Sequence, residues 1–470
     1  VKNSFNLRYI FLISLVSALG GFLFGYDWVV IGGAKPFYER FFLIGQDPNL
    51  QGWAMSSALI GCILGAMGAG PFTDRFGRKK ALVLAAFLFL LSAAGTGFSN
   101  QLSTFIIFRL IGGLGIGFAS TISPMYISEV SPPAWRGRLV SMNQLTIVIG
   151  ILCAQVMNYL IAKPVPDGFS DLQILNSWNG QTGWRWMFWA ENLPAFIFLV
   201  SVFFIPESAR WLFKSGKDVK GYGVLLRLGD KNFATQEMKN IKTTLHGEHT
   251  ALPYHELISP GFRKILLLGI FLTVFQQWSG INVIFNYAEE IFTAAGFTIS
   301  DTLFNIVLTG SVNLIFTFIA IGMVDRVGRK KLMLLGALGL GLIYILLGFF
   351  YYKQIHGVFV LVLVTGAIAT YAMTLAPVTW VIISEIFPNR IRGVAMSIAT
   401  FSLWSACFVL TYTFPWLNQI LTTSGTFWLY SGICLAGFLL IRTWLPETRG
   451  KSLETIEKEI VYSEKAGENS

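Results

Sequence analysis

Apolar residues in this chain come in long uncharged stretches that recur every few tens of residues, divided by short polar segments. A helix needs about 20 apolar residues to cross the hydrocarbon core of a bilayer, and about twelve runs approach that length. In the first half they lie near 9–31, 52–72, 81–98, 103–126, 139–161 and 185–205. In the second half they lie near 265–290, 302–323, 331–351, 357–383, 394–416 and 425–445. The runs are continuous rather than alternating, which excludes a closed barrel. The pattern therefore predicts an all-α polytopic membrane protein. The first run is long enough to span and no small-residue cleavage site follows it, so it is expected to be a helix rather than a signal peptide.

One polar stretch interrupts the rhythm, between Pro206 and Lys264. Its amphipathic pieces, Gly221–Leu228 and Gln236–Leu245, predict short helices outside the membrane. After Pro446, Ser452 is a candidate N-cap and Glu454 suits the first turn of one more helix. Lys465 to Ser470 are expected to be disordered.

Composition agrees with a lipid setting: 54% of residues are apolar and 13% charged, where soluble domains carry about 25% charge. A net charge of +10 could suggest a nucleic-acid partner. The basic residues instead concentrate in the central segment and in alternate loops, such as Arg75 to Lys80 and Arg326 to Lys331, while the loops near Ser99 and Thr422 have none. This asymmetry predicts both termini and the central segment in the cytoplasm of a cell's inner (plasma) membrane, with no nucleic-acid partner. Four cysteines in apolar runs and four histidines in loops or at a helix edge fit neither a zinc site nor a disulfide framework. No nucleophile constellation is visible, so no enzyme activity, metal or cofactor is expected.

The two halves repeat. "DRFGRKK" from Asp74 and "DRVGRKK" from Asp325 are 251 residues apart. "SEVSPPAWRG" and "SEIFPNRIRG" set Glu129 against Glu385 and Arg136 against Arg392, 256 apart, and "PES" at Pro206 answers "PET" at Pro446. Each pair follows the second, fourth or sixth run of its half. Self-similarity across six helices predicts two parallel bundles, with a solute site between them near mid-membrane. The expected division is 1–206 and 263–446 for the bundles, 207–262 for cytoplasmic linker helices and 447–470 for a tail.

These residues resemble the major facilitator superfamily and, within it, the sugar porter family. "GPFTDRFGRKK" (Gly70 to Lys80) is similar to the superfamily's loop motif. "PESARWL", "PETRGKS", "FQQWSGIN" and "SEIFPNRIRG" are similar to sugar porter motifs, in the family's order and over nearly the whole chain. The likeness is to bacterial xylose/proton symporters first and facilitative glucose transporters next. It implies the major facilitator fold, twelve transmembrane helices in two six-helix bundles, and transport of a monosaccharide by alternating access. The expected partners are a small-molecule sugar, a proton and the lipid bilayer, with a monomer as the working unit.

Three groups of candidate residues follow. Asp74, Arg78, Glu129, Arg136 and Glu207, echoed by Asp325, Arg329, Glu385, Arg392 and Glu447, stand at cytoplasmic helix ends. Basic residues there are explained by topology alone, but acids at matching places in both halves are not. The resemblance implies a cytoplasmic gate of ion pairs between the bundles. Since exposed pairs are each worth about 0–1 kcal/mol, a network is needed.

Asp27 lies within the first run, where a charge costs about 2.5–3.5 kcal/mol on insertion scales. Arg109 in the fourth run is its expected partner. The pair is either a coupling device released by protonation or a fixed tie between two helices. Asp27 matches the family's proton symporters, where facilitators usually have Asn. Glu191 matches an acid of their sixth helix and is placed beside Arg109 as a second titrating group or a fixed partner.

Carboxamides suit sugars because each offers donors and acceptors. Gln144, Gln276, Gln277, Asn282, Asn286 and Asn313 are the candidates, with Phe24, Tyr287, Trp380 and Trp404 as rings to pack on a sugar's C–H face. Gly280 allows an unwound turn between Gln277 and Asn282. Gln144, Gln276, Gln277, Asn282 and Trp380 match family substrate residues; helix-to-helix hydrogen bonding is the plainer role for the Gln pair. Ile151, Asn286, Leu403 and Cys407 depart from the family's Gln, Tyr, Gln and Asn, and Ala376 from its Gly. The chamber is thus expected to be less polar on the fifth and eleventh helices, so a different monosaccharide or a polyol would also fit. A facilitative uniporter and a non-transporting sugar receptor are the competing readings.

Overall fold

The computed structural model describes residues 5–166, 168–247, 260–387 and 392–449. Among them the regular structure is helical, apart from one isolated bridge between Phe5 and Gly229. The first five spans are α1 (Leu7–Phe41), α2 (Pro48–Phe76), α3 (Arg78–Phe98), α4 (Leu102–Val130) and α5 (Pro133–Ile161). A short α6 (Asp171–Asn176) follows, capped by Ser170 with Gln173 reaching back to the cap. The sixth span is broken into α7 (Trp184–Trp189) and α8 (Asn192–Val202). Pro194 has no N–H to offer the carbonyl of Ala190, which accounts for the break.

The central segment forms α9 (Ala209–Lys214), α10 (Asp218–Leu228) and α11 (Lys231–Gly247). α10 buries Gly221, Val224, Leu225 and Leu228, the apolar stripe its spacing predicts. The seventh span is α12 (Pro260–Trp278) and α13 (Ile281–Asn286), followed by α14 (Ala288–Ala294). Between α12 and α13 Gly280 takes a left-handed conformation, φ +83°. Then come α15 (Ile299–Val327), α16 (Arg329–Tyr352), and a tenth span in two pieces, α17 (Val358–Met373) and α18 (Leu375–Ile386). α19 (Arg392–Trp444) turns at Thr422, whose φ is +62°, and so supplies the last two spans. Among the described residues, ten helices are long and apolar enough to cross a membrane; counting the broken sixth span and dividing α19 at Thr422 gives twelve. The proposed helix at Ser452 and the terminal residues lie outside the described residues, as do His249 and His255.

The chain divides into two compact units. One holds 1–30, 57–157 and 185–251; the other holds 31–56, 158–184 and 252–470. In the first unit, glycines bring backbones together. A Cβ on Gly113 would overlap the Ala58 carbonyl between α4 and α2, and one on Gly25 would overlap the Ile147 carbonyl between α1 and α5. Small residues at such crossings allow the close van der Waals packing that holds helices together in lipid.

In the second unit the end of α1 is tied to α14 by a buried cation. α1 runs ten residues past the boundary near 31 that the apolar pattern suggests, because Lys35 and Glu39 interrupt the run without ending the helix. Lys35 is 1% exposed. Its Nζ lies 2.9 Å from Glu39, 3.9 Å from Glu289, in contact with Glu290, and 5.6 Å from the centre of the Tyr287 ring. Removing one partner from a buried ionic cluster typically costs about 3–5 kcal/mol, since the rest is left uncompensated. Lys35→Met is therefore expected to lower the melting temperature of the protein in detergent, and adding Glu290→Gln should recover part of the loss; thermal melting of the single and double variants checks both.

Candidate functional site

In the first unit, α1, α4 and the break between α7 and α8 bring three ionisable side chains together. Asp27 is 1% exposed, Arg109 2% and Glu191 1%. The Arg109 guanidinium pairs with the Asp27 carboxylate through Nη1, and its Nη2 donates to the Asp27 main-chain carbonyl at 3.2 Å. The same guanidinium lies 5.8 Å from the centre of the Phe188 ring on α7. Glu191 stands at the start of α8 and interacts electrostatically with both Asp27 and Arg109. One oxygen of each acid, Asp27 Oδ2 and Glu191 Oε1, has no hydrogen-bond partner, nor has Arg109 Nε. Two carboxylates facing one guanidinium leave one unit of negative charge uncompensated, and a single bound proton would neutralise the group and supply a donor.

Sequence reasoning missed one member of this site. A Cβ at Gly112 would sit 2.7 Å from Asp27 Oδ2. Gly112 lies one turn after Arg109, so α4 supplies the cation and the space for its partner. The signal was present in the "IGGLGIGF" stretch, but nothing in it singles out this glycine from its neighbours.

In the second unit the break at Gly280 lets three amides chain together. A side chain at Gly280 would meet the Tyr430 ring at 2.7 Å. Gln276 Nε2 donates to the carbonyls of Leu375 and Ala376 at 3.2 and 3.3 Å, where the helix is broken at Thr374. Gln277 Nε2 donates to Gln276 Oε1 at 3.3 Å. Asn282 Nδ2 donates to Gln277 Oε1 and lies 3.7 Å from Cys407 Sγ on α19. The Gln pair thus bonds to helix backbone and to itself, and it holds three carboxamides within reach of one another.

The other sequence candidates are placed less tightly. Asn286, Asn313 and Trp404 are buried, and Trp380 is 38% exposed. Among the described residues no side-chain hydrogen bond joins Asn286, Asn313 or Trp380 to the amide chain. Tyr287 is fully buried and donates to the Thr411 carbonyl at 2.6 Å. Phe24 and Gln144 belong to the first unit, where Phe24 packs edge-on against Trp28.

The charged helix ends form two matching clusters, each inside its own unit. In the first, Arg78 bonds Glu129 at 2.9 Å and approaches Asp74 at 3.8 Å. Ser208 Oγ also donates to Glu129, and Asp74 pairs with Lys214 at 3.1 Å. Glu207 accepts the backbone N–H groups of Arg78, Lys79 and Ser208 at 2.8–3.2 Å. Burial raises the Glu207 carboxyl above its ordinary range, and those N–H bonds hold the rise back. In the second unit, Arg329 bonds Glu385 at 3.1 Å and Thr448 donates to Glu385 at 2.6 Å. Glu447 accepts the N–H groups of Arg329 and Lys330 at 3.0 and 3.2 Å. The acids of "PES" and "PET" therefore cap the starts of α3 and α16, where anions are favoured. Gly77 and Gly328, at φ +94° and +103°, leave room for them. Arg136 donates to the Ser128 carbonyl at 3.0 Å rather than to a carboxylate. The side chains of Asp325 and Arg392 lie outside the described residues.

Comparison with known proteins identifies the family. The model of the family "Sugar (and other) transporter" matches residues 13–460. The arabinose-proton symporter of Bacillus subtilis (strain 168) is 39% identical over 459 residues, covering 97% of this chain and 96% of that protein. The D-xylose-proton symporter of Escherichia coli (strain K12) is 38% identical over 488 residues, covering 97% of each. The inward-open structure of the xylose transporter XylE from E. coli superposes with a TM-score of 0.83 at 36% identity, covering 95% of this chain and 99% of that one. With the helical architecture, the family match and the relatives' near-complete coverage in agreement, the chain belongs to the sugar transporter family and has the major facilitator fold.

Proposed function

We propose that the protein carries a monosaccharide, with an aldopentose such as xylose or arabinose as the first candidate, across the membrane together with a proton. The observation that carries this reading is the sealed Asp27–Arg109–Glu191 group, in a chain whose relatives include proteins named as sugar–proton symporters over nearly their full length. A buried group with one cation and two acids changes its net charge when a proton arrives. A protein with two conformations shifts toward whichever accommodates the neutral group better. The amides of Gln276, Gln277 and Asn282 hold the sugar, with Trp380, Trp404, Asn286, Asn313, Gln144 and Phe24 completing the site. Residues 1–206 and 263–446 act as the moving lobes of a monomer in the inner membrane, with both termini in the cytoplasm. The clusters around Glu129 and Glu385 act as the cytoplasmic gate.

Labelled xylose and arabinose uptake into proteoliposomes, with and without an inward proton gradient, tests the coupling. Asp27→Asn is expected to keep sugar exchange and to lower the accumulation ratio to about one; accumulation that survives this change makes the Asp27–Arg109 pair a structural tie and places proton coupling elsewhere. Replacing both Gln276 and Gln277 by Leu removes several neutral hydrogen bonds, each worth about 0.5–1.5 kcal/mol. Sugar binding, followed by titration of the purified protein, should weaken by about 2–4 kcal/mol, on the order of 30- to 1,000-fold. Binding that persists at wild-type strength overturns the assignment of the chamber.

A further inference from the structure

Several buried polar atoms lack a hydrogen-bond partner, and one residue stands apart among them. Gln155 on α5 is 2% exposed, and neither its Nε2 nor its Oε1 is bonded. Among the described residues with such atoms, it alone leaves both ends of an amide unmade. Gln276 shows how a helix amide in this protein is ordinarily satisfied, by the backbone of a neighbouring helix. A buried amide with neither bond made is costly, and such groups in native proteins call for an explanation.

Its position on the helix supplies one. With about 100° between successive residues, Gln144, Val148, Ile151 and Gln155 fall on one stripe about 60° wide. The face turned to α1 is different: it carries Asn143, Ile147 and Gly150, against Gly21, Gly25 and Phe22. Gln155 is therefore about a third of a turn away from the centre of that α1 contact, on the line that carries Gln144. Ile151 interrupts that line with an apolar side chain, and Gln155 returns it to an amide one turn further along.

We propose that Gln155 is a specificity-determining residue that reads one hydroxyl of the transported sugar. The inference rests on the sugar-carrier reading above. A hydroxyl is donor and acceptor at once, and so matches the two unmade ends of a carboxamide. A residue with no protein partner to lose can make this bond without breaking another.

The test uses the full-length protein in detergent or nanodiscs and a panel of D-xylose, L-arabinose, D-glucose and myo-inositol, followed by the monodeoxy analogues of the best-bound member. Wild type is expected to bind one deoxy analogue about tenfold more weakly than its parent, the loss expected for one hydrogen bond. Gln155→Leu should bind that analogue and the parent equally, with the ratios for the other analogues unchanged. Its melting temperature without sugar should be no lower than wild type, since no internal bond is lost. Gln155→Met is the second variant should Leu fail to fold. Unchanged discrimination at every hydroxyl, in whichever variant folds, overturns the proposal, as does a uniform loss for all ligands. Failure of wild type to bind any member of the panel overturns the sugar reading itself, and is seen before any variant is made.

Discussion

The buried contact between Arg109 and Asp27 constrains much of the first unit. A guanidinium and a carboxylate taken out of water each carry a large desolvation cost, which their attraction offsets only when the geometry is close. The pair therefore fixes α1 and α4 as neighbours and sets their depth against one another. The glycine crossings of α1 with α5 and of α2 with α4 let the backbones approach closely. Glu191 then enters at a break in the sixth span, created by a proline three residues on. A helix without that break would have made its i to i−4 bonds through this region and left the acid on a regular surface.

The ends of the helices follow a different logic, repeated in each unit. An arginine one residue after a tight glycine turn binds a glutamate on a distant helix. A second glutamate, from the segment after the last span of its half, caps the helix that begins at that arginine. Ser208 and Thr448 hold the first glutamate in the two copies. These contacts lie within each unit, so each cluster is a preassembled piece. The acids that topology alone does not explain are accounted for by backbone N–H groups as much as by arginine side chains.

Much of this was legible in the residues. Twelve apolar runs gave twelve spans, because in lipid the backbone must satisfy itself and a long apolar run has few alternatives to a helix. Asp27 and Arg109 could be paired because charges in such runs are few. The unwound turn at Gly280 was readable from its position between Gln277 and Asn282. Three things were not readable. Lys35 and Glu39 ended the apolar run on paper but not the helix, since their mutual pairing is invisible to hydropathy. The carbonyls that receive Gln276 belong to backbone atoms at a kink near Thr374, which side-chain identity does not reveal. Glu207 and Glu447 were expected as ion-pair members, yet their chief partners are main-chain N–H groups, which every helix start possesses.

The gap at Gly112 links geometry to electrostatics. Arg109 and Gly112 lie one turn apart on the same helix, one holding the Asp27 carboxylate and the other making room for it. Any rotation of α4 about its axis swings the charge and the recess together. The strength of the ion pair is thereby geared to the register of a single helix, and a small mechanical displacement becomes a change in how firmly a carboxylate is held.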